Sequence, residues 1–240
     1  YLESGDNLSG YRIERTATFL QIRAKEEHVR GVTFNNDGSK MYIIGTDSDA
    51  VHEFNLTTNF NVDSFTFSQS FSVSAQELTP TQVKFNNNGS KMFIVGEHTD
   101  QVEEYSLTKN FDISTATHES SFYIGTQEAR AYGLDFSTDG KNMYVSGLDG
   151  QAVHQYSLNV GFDLSAGVTF LRTADLTTLR DDEGGDEDEP TGIEFNLDGT
   201  RMFLVGTKGN DVNQYTLSEG FNISTASWDG GLEYGGNPSA

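Results

Sequence analysis

The sequence predicts an all-β fold, a β-propeller of tandem four-stranded antiparallel blades, with about four repeats in 240 residues. Three observations carry this. Four segments align in one register, with anchor phenylalanines at Phe34, Phe85, Phe136 and Phe195 and spacings of 51, 51 and 59. Each segment reads as short alternating apolar and polar runs around Asn-Gly or Asp-Gly steps, which accept the positive φ of tight turns. The composition pairs 17 Phe, 10 Tyr and 1 Trp with 25 Gly and only 3 Pro, which suits many short strands and is foreign to disorder.

The phase is kept far beyond the anchors. All four Met residues occupy one repeat position: Met41, Met92, Met143 and Met202. Downstream, Val51, Val102, Val153 and Val212 recur, then Phe54, Tyr105, Tyr156 and Tyr215, then Leu56, Leu107, Leu158 and Leu217. A fixed period of about 50 residues is the mark of a repeat architecture. Within unit one, Val32 to Phe34 is the first strand, Asn36 to Ser39 the turn, Met41 to Ile44 the second strand and Ala50 to Leu56 the third. A looser fourth strand covers Phe65 to Val73, with counterparts near 119–124 and 168–172. No stretch holds a 3.6-residue period. The chain is read as a single propeller domain over 1–240, with units at about 24–74, 75–125, 126–184 and 185–228. Unit four ends in a poor strand around Trp228, with a tail over 229–240. Residues 11–23 contain a better strand, Ala17 to Arg23. This strand is expected to complete the last blade and close the ring, or else to end a preceding blade.

Composition excludes several function classes. Lys plus Arg number 15 and Asp plus Glu 36, a net charge of −21 that repels phosphate backbones and anionic lipid. Nucleic acid is therefore not an expected partner. With no Cys there is no disulfide framework, thiolate nucleophile or Cys-bound zinc. No apolar run reaches the roughly 18–20 residues of a membrane span, so no membrane insertion is expected. The chain opens at Tyr1, which reads as a processed or excised piece.

The pattern Phe-Asn-x-Asp-Gly-Ser/Thr-Lys/Arg-Met-Tyr/Phe-Ile/Val-x-Gly, followed by Val-x-x-Tyr-x-Leu, resembles the YVTN and lactonase-like propeller repeats and the WD-like periplasmic repeats. Pro190-Thr-Gly-Ile-Glu-Phe195 and Phe111-Asp-Ile-Ser-Thr-Ala-Thr117 are similar to repeats of extracellular bacterial and bacteriophage structural proteins, often marine. The resemblance covers about residues 17–228. It implies the fold strongly and function weakly, because propellers host hydrolases, lyases, lectins and scaffolds.

Two sets of residues are candidates for a site. Eight residues before each anchor stands a Glu: Glu26, Glu77, Glu128 and Glu187. Equivalent positions of a propeller circle one axis, so four carboxylates could converge. At about 6 Å and an effective dielectric of about 20, each pair would repel by roughly 3 kcal/mol, which calls for protons, bases or a hard cation such as Ca²⁺. The competing reading has each Glu accept backbone N–H bonds or pair with Arg30 or Arg130. On the innermost strand, Thr33, Lys84, Asp135 and Glu194 face away from the apolar positions and suggest a watered channel, holding a polar ligand or a ring of ion pairs. Tyr132, where the other units have Arg30, Thr81 and Thr191, could stack on a ligand. The insertion of 59 − 51 = 8 residues falls in the acidic run Asp181 to Pro190, a solvated loop or a weak Ca²⁺ collector lacking the spaced calcium-loop pattern. His28, His52, His98, His118 and His154 make no zinc pattern, although His52 and His154 share a repeat position.

The leading expectation is a non-enzymatic structural or adhesion propeller, extracellular, on a cell surface or in a virion, binding a protein or carbohydrate partner through its loops. The alternative is a lactonase-like hydrolase with an axial divalent cation held by the Glu ring.

Overall fold

The computed structural model describes residues 22–179, 189–207 and 211–233. They form four antiparallel sheets, each of four strands in meander order, arranged as a four-blade β-propeller. Blade one comprises β1 (Val29–Phe34), β2 (Lys40–Gly45), β3 (Ala50–Leu56) and β4 (Phe65–Ser72). Blade two comprises β5 (Pro80–Phe85), β6 (Lys91–Gly96), β7 (Gln101–Leu107) and β8 (Ala116–Tyr123). Blade three comprises β9 (Ala131–Phe136), β10 (Asn142–Gly147), β11 (Ala152–Val160) and β12 (Asp163–Asp175), followed by the single turn α1 (Leu176–Leu179). Blade four comprises β13 (Pro190–Phe195), β14 (Arg201–Gly206), β15 (Asp211–Leu217) and β16 (Ala226–Glu233).

Local chemistry explains why each unit folds alike. In the turn between the first two strands, Asn35 Oδ1 accepts the Lys40 N–H at 2.8 Å and Asp37 Oδ1 accepts the Ser39 N–H at 2.9 Å. Gly38 takes φ +70°, as Gly89, Gly140 and Gly199 do within a degree, a backbone state that carries a penalty for any residue with a Cβ. Each innermost strand bulges by one residue near its start, opposite the Gly that ends the second strand. Tyr132 is the bulged residue of blade three.

The core lies between blades, because each sheet is apolar on both faces. Tyr42, Ile44 and Val51 of blade one pack on Val83, Met92 and Ile94 of blade two. Phe93, Val95 and Val102 of blade two pack in the same way on Leu134, Met143 and Val145 of blade three. Tyr144 and Val153 of blade three meet Ile193, Met202 and Leu204 of blade four. Side chains stitch these interfaces further. Asn36 Nδ2 donates to the Asn87 carbonyl at 2.6 Å, Asn87 Nδ2 to Thr138 O at 2.7 Å, and Thr138 Oγ1 to Leu197 O at 2.6 Å. Among the described residues, no comparable packing joins β13 and β14 to β1 and β2.

Two expectations about the ends need correction. Blade four completes itself: β16 pairs with β15 from Leu217↔Ala226 to Asp211↔Glu233, so the segment read as a poor strand is a full member of its sheet. Its alternation is blurred by Gly230 and Gly231, but the backbone ladder needs only N–H and C=O groups, which these glycines supply. A closing strand from the N-terminus is therefore not required in that blade. Ile22 and Arg23 lie in a helical turn, with the Lys25 and Glu26 N–H groups donating to Ile22 O at 2.8 and 2.9 Å. The rest of the expected strand, residues 11–21, lies outside the described residues. The same turn follows β4 and β8, where Gln76 and Glu77 donate to Val73 O and Gln127 and Glu128 to Ile124 O.

Candidate functional site

The innermost strands bring Lys84, Asp135 and Glu194 together across three blades. Lys84 Nζ lies 3.2 Å from Asp135 Oδ1 and 2.5 Å from Glu194 Oε2. Asp135 Oδ2 also accepts the Phe195 N–H at 2.9 Å, tying blade three to blade four. Lys84 and Asp135 are largely enclosed, while the Glu194 side chain is mostly exposed. Burial pushes the Asp135 carboxyl up to about 6, against the opposing pull of the Lys84 charge. Burial alone would lower the Lys84 ammonium, but the charges of Asp135 and Glu194 outweigh it and raise its pKa. The three groups line the floor and rim of a cavity of about 220 Å³, open at the mouth marked by the first-hairpin turns. Thr33, Asn36, Asn87 and Asn196 add neutral polar groups to the wall. Phe34, Phe85, Phe136 and Phe195 form its apolar lining.

Tyr132 stands apart from this cavity. Its hydroxyl donates to Glu97 Oε1 at 2.5 Å, and the Arg30 guanidinium lies 5.8 Å from its ring centre. Arg130 contacts Glu97 at 3.4 Å and Asp149 at 3.6 Å. Strand direction explains the separation. Tyr132 sits at the start of β9 and Asp135 near its end, so they face opposite mouths of the channel.

Glu26, Glu77 and Glu128 each turn into a loop of their own blade, the arrangement of the competing reading, in which each Glu accepts backbone N–H bonds. Glu26 Oε1 accepts the N–H groups of His28 at 3.0 Å and Asp47 at 3.2 Å, and Oε2 accepts Ser48 N–H and O–H at 3.2 and 2.7 Å. Glu77 does the same with Thr79, His98 and Thr99, and Glu128 with Arg130, Asp149 and Gly150. Each carboxylate is buried and caps the loop between the second and third strands of its own blade. A Cβ on Gly45, Gly96 or Gly147 would fall 2.5–2.6 Å from the corresponding Glu carboxyl carbon, so the glycine at the end of the second strand makes room for it. Each carboxylate oxygen of Glu26 and Glu77 already accepts at least two N–H or O–H donors, which leaves these groups poor ligands for Ca²⁺, an ion that needs several free oxygens. No group of three or more His, Asp or Glu fit to hold a metal occurs among the described residues. Glu187 and the acidic run over 181–188 lie outside the described residues.

Repeat logic alone did not reveal the buried network around His52. Its Nε2 lies 2.8 Å from Ser48 Oγ, the hydroxyl that also donates to Glu26, and its Nδ1 lies 2.7 Å from Ser70 Oγ. In blade three His154 keeps the bond to Thr173, at 3.0 Å, but Gly150 supplies no hydroxyl and His154 Nε2 has no protein partner. The signal was present in the alternation Ser48, Thr99, Gly150 at one repeat position.

No known family model matches the chain, and no curated protein does. Solved structures do. A candidate 6-phosphogluconolactonase from Bacteroides fragilis is similar with a TM-score of 0.58 at 15% identity, over 86% of this chain and 55% of that one. A second from Bacteroides uniformis gives 0.57 at 14%, with the same coverage of 86% and 55%. The periplasmic gluconolactonase of Pseudomonas aeruginosa gives 0.54 at 14%, over 87% and 55%. At such identities the likeness is one of fold, and it agrees with the lactonase-like propeller resemblance of the repeats. The chain spans about 55% of the length of each of these proteins. The association with bacteriophage structural proteins has no counterpart among them.

Proposed function

We propose that the axial cavity binds and opens a small sugar lactone. The observation that supports this reading is one enclosed cation, Lys84, held by Asp135 beneath a solvent-open polar cavity with Glu194 at its rim. A lactone carbonyl directed at Lys84 Nζ would find a fixed positive charge for the oxyanion of the tetrahedral intermediate. Glu194 would take a proton from the attacking water, and the hydroxide equivalent would bond to the carbonyl carbon. When the ring C–O bond breaks, the same carboxyl returns the proton to the departing ring oxygen. Asn36, Asn87 and Asn196 offer partners for sugar hydroxyls. No metal enters this scheme.

The likeness to gluconolactonase propellers favours the class of reaction. The charge argues against a phosphorylated substrate: the net charge is −21, and among the described residues the cavity wall has a single cation, Lys84. Glucono-δ-lactone opening, followed by acid release with a pH indicator, tests the reading. Lys84→Met and Glu194→Gln are each expected to lower kcat/KM by about 100-fold. Calorimetry with gluconate separates the other expectation. Binding without turnover leaves the ring a carbohydrate-binding module, and neither binding nor turnover overturns the assignment of this cavity.

A further inference from the structure

Among the described residues, blade one and blade four each leave exposed, on one outer face, apolar positions that the interfaces between blades bury. Val32 and Val62 of blade one are 52% and 50% exposed, whereas their counterparts Val83, Leu134 and Ile193, and Ile113, Leu164 and Ile223, are at most 5% exposed. At the other end, Val205 and Val212 of blade four are 41% and 40% exposed, while Ile44, Val95 and Ser146, and Val51, Val102 and Val153, are fully buried. Every one of those buried counterparts lies where the rear face of one blade meets the front face of the next. Blade one therefore presents a front face and blade four a rear face. Each carries the same repeat positions that the three internal interfaces bury. Ile22 already occupies, on blade one, the place that Val73 and Ile124 take on blades two and three, packing on Met41, Ile43 and Phe54. The remaining opening, around Val32 and the Phe60–Val62 turn, is the part that a rear face covers elsewhere.

We propose that a second copy of this chain supplies that rear face, and that two copies close head to tail into a ring of eight blades. Two points favour this occupant. The surfaces are complementary by repeat position, so blade four of one copy on blade one of another reproduces contacts the fold makes three times. A two-fold axis along the channel satisfies both seams at once, the closed symmetry that soluble assemblies favour. The seam is apolar in a chain of net charge −21, so salt that screens repulsion between copies strengthens the association.

Sedimentation velocity in 0.5 M salt tests the ring, with wild-type protein expected at twice the chain mass. Val32→Glu alone, blocked in front, and Val205→Glu alone, blocked behind, are each expected to stay single, since every seam then contains one charge. An equimolar mixture of the two variants is expected to recover a dimer, because one seam pairs two unaltered faces. That complementation separates a head-to-tail seam from a face pairing with itself. Both substitutions fall at exposed positions, and circular dichroism of each variant establishes that it is folded; Val62→Glu replaces Val32→Glu should the latter fail. A wild-type chain that stays single, a Val32→Glu protein that still pairs with itself, or a mass ladder rising past the dimer would each overturn the eight-blade ring.

Discussion

Gly89 and Phe111 interlock. A Cβ on Gly89 would lie 2.3 Å from Phe111 Cδ2, and the Phe111 N–H donates to Gly89 O at 2.8 Å. The glycine has φ +71° and the phenylalanine φ +58°, so two left-handed residues hold each other in place. Gly38 with Phe60, Gly140 with Phe162 and Gly199 with Phe221 repeat the arrangement. The ring stacked on the glycine locks the turn between the first and second strands to the loop between the third and fourth, which fixes the shape of every blade.

Gly89→Ala is expected to destabilise the protein by about 3 kcal/mol, combining the left-handed backbone penalty with displacement of a packed ring. Urea unfolding measures it. In a Phe111→Ala background the same change should cost only about 1 kcal/mol, since the steric part is gone. Equal costs in the two backgrounds would show that the ring does not press on the turn.

Gly150→Ser is expected to stabilise the protein by about 1 kcal/mol. Blade one provides the precedent: Ser48 Oγ joins Glu26 and His52. In blade three the added Cβ would lie 2.7 Å from His154 Nε2 and 2.8 Å from Glu128 Oε2, both ends of side chains that can shift. A lower urea midpoint would mean that the loop of blade three has no room for the group.

His154 makes stability fall in mild acid. Burial lowers its pKa from 6.5 to about 4. A folded-state pKa below the unfolded one gives stability that is whole above pH 6.5 and is lost as pH falls through 4. The loss amounts to roughly 2–3 kcal/mol. His154→Gln should remove this dependence while retaining a polar side chain for Thr173. Asp135 acts in the opposite sense, because its raised pKa gives stability that is lost as pH rises through about 6. The difference between wild type and His154→Gln across pH 4–7 isolates the histidine, and a difference that does not vary with pH would refute its buried, neutral state.

The period, the anchors and the turn chemistry of this protein could be read along the chain. Met41, Met92, Met143 and Met202 share a position, and Gly38, Gly89, Gly140 and Gly199 share a conformation that the Asn/Asp-Gly steps announce. The inner-strand site was legible for a related reason: alternation alone sends Lys84, Asp135 and Glu194 to the face opposite the core. Which of those charges meet was decided by the way blades fan about the axis, which brings Lys84 to a carboxylate 110 residues away. The Glu positions show the limit most clearly. Their recurrence was plain in the sequence, yet recurrence is equally compatible with side chains that converge on the axis and with side chains that turn back into their own blades. Only the tertiary structure, by burying Glu26, Glu77 and Glu128 against the N–H groups of loops about twenty residues downstream, selects the second. The last strand followed the same rule. Backbone hydrogen bonding is blind to side-chain pattern, so β16 joins its sheet despite a sequence that advertises it poorly, and the exposure of Val32 on the first blade and Val205 on the last becomes visible only in three dimensions.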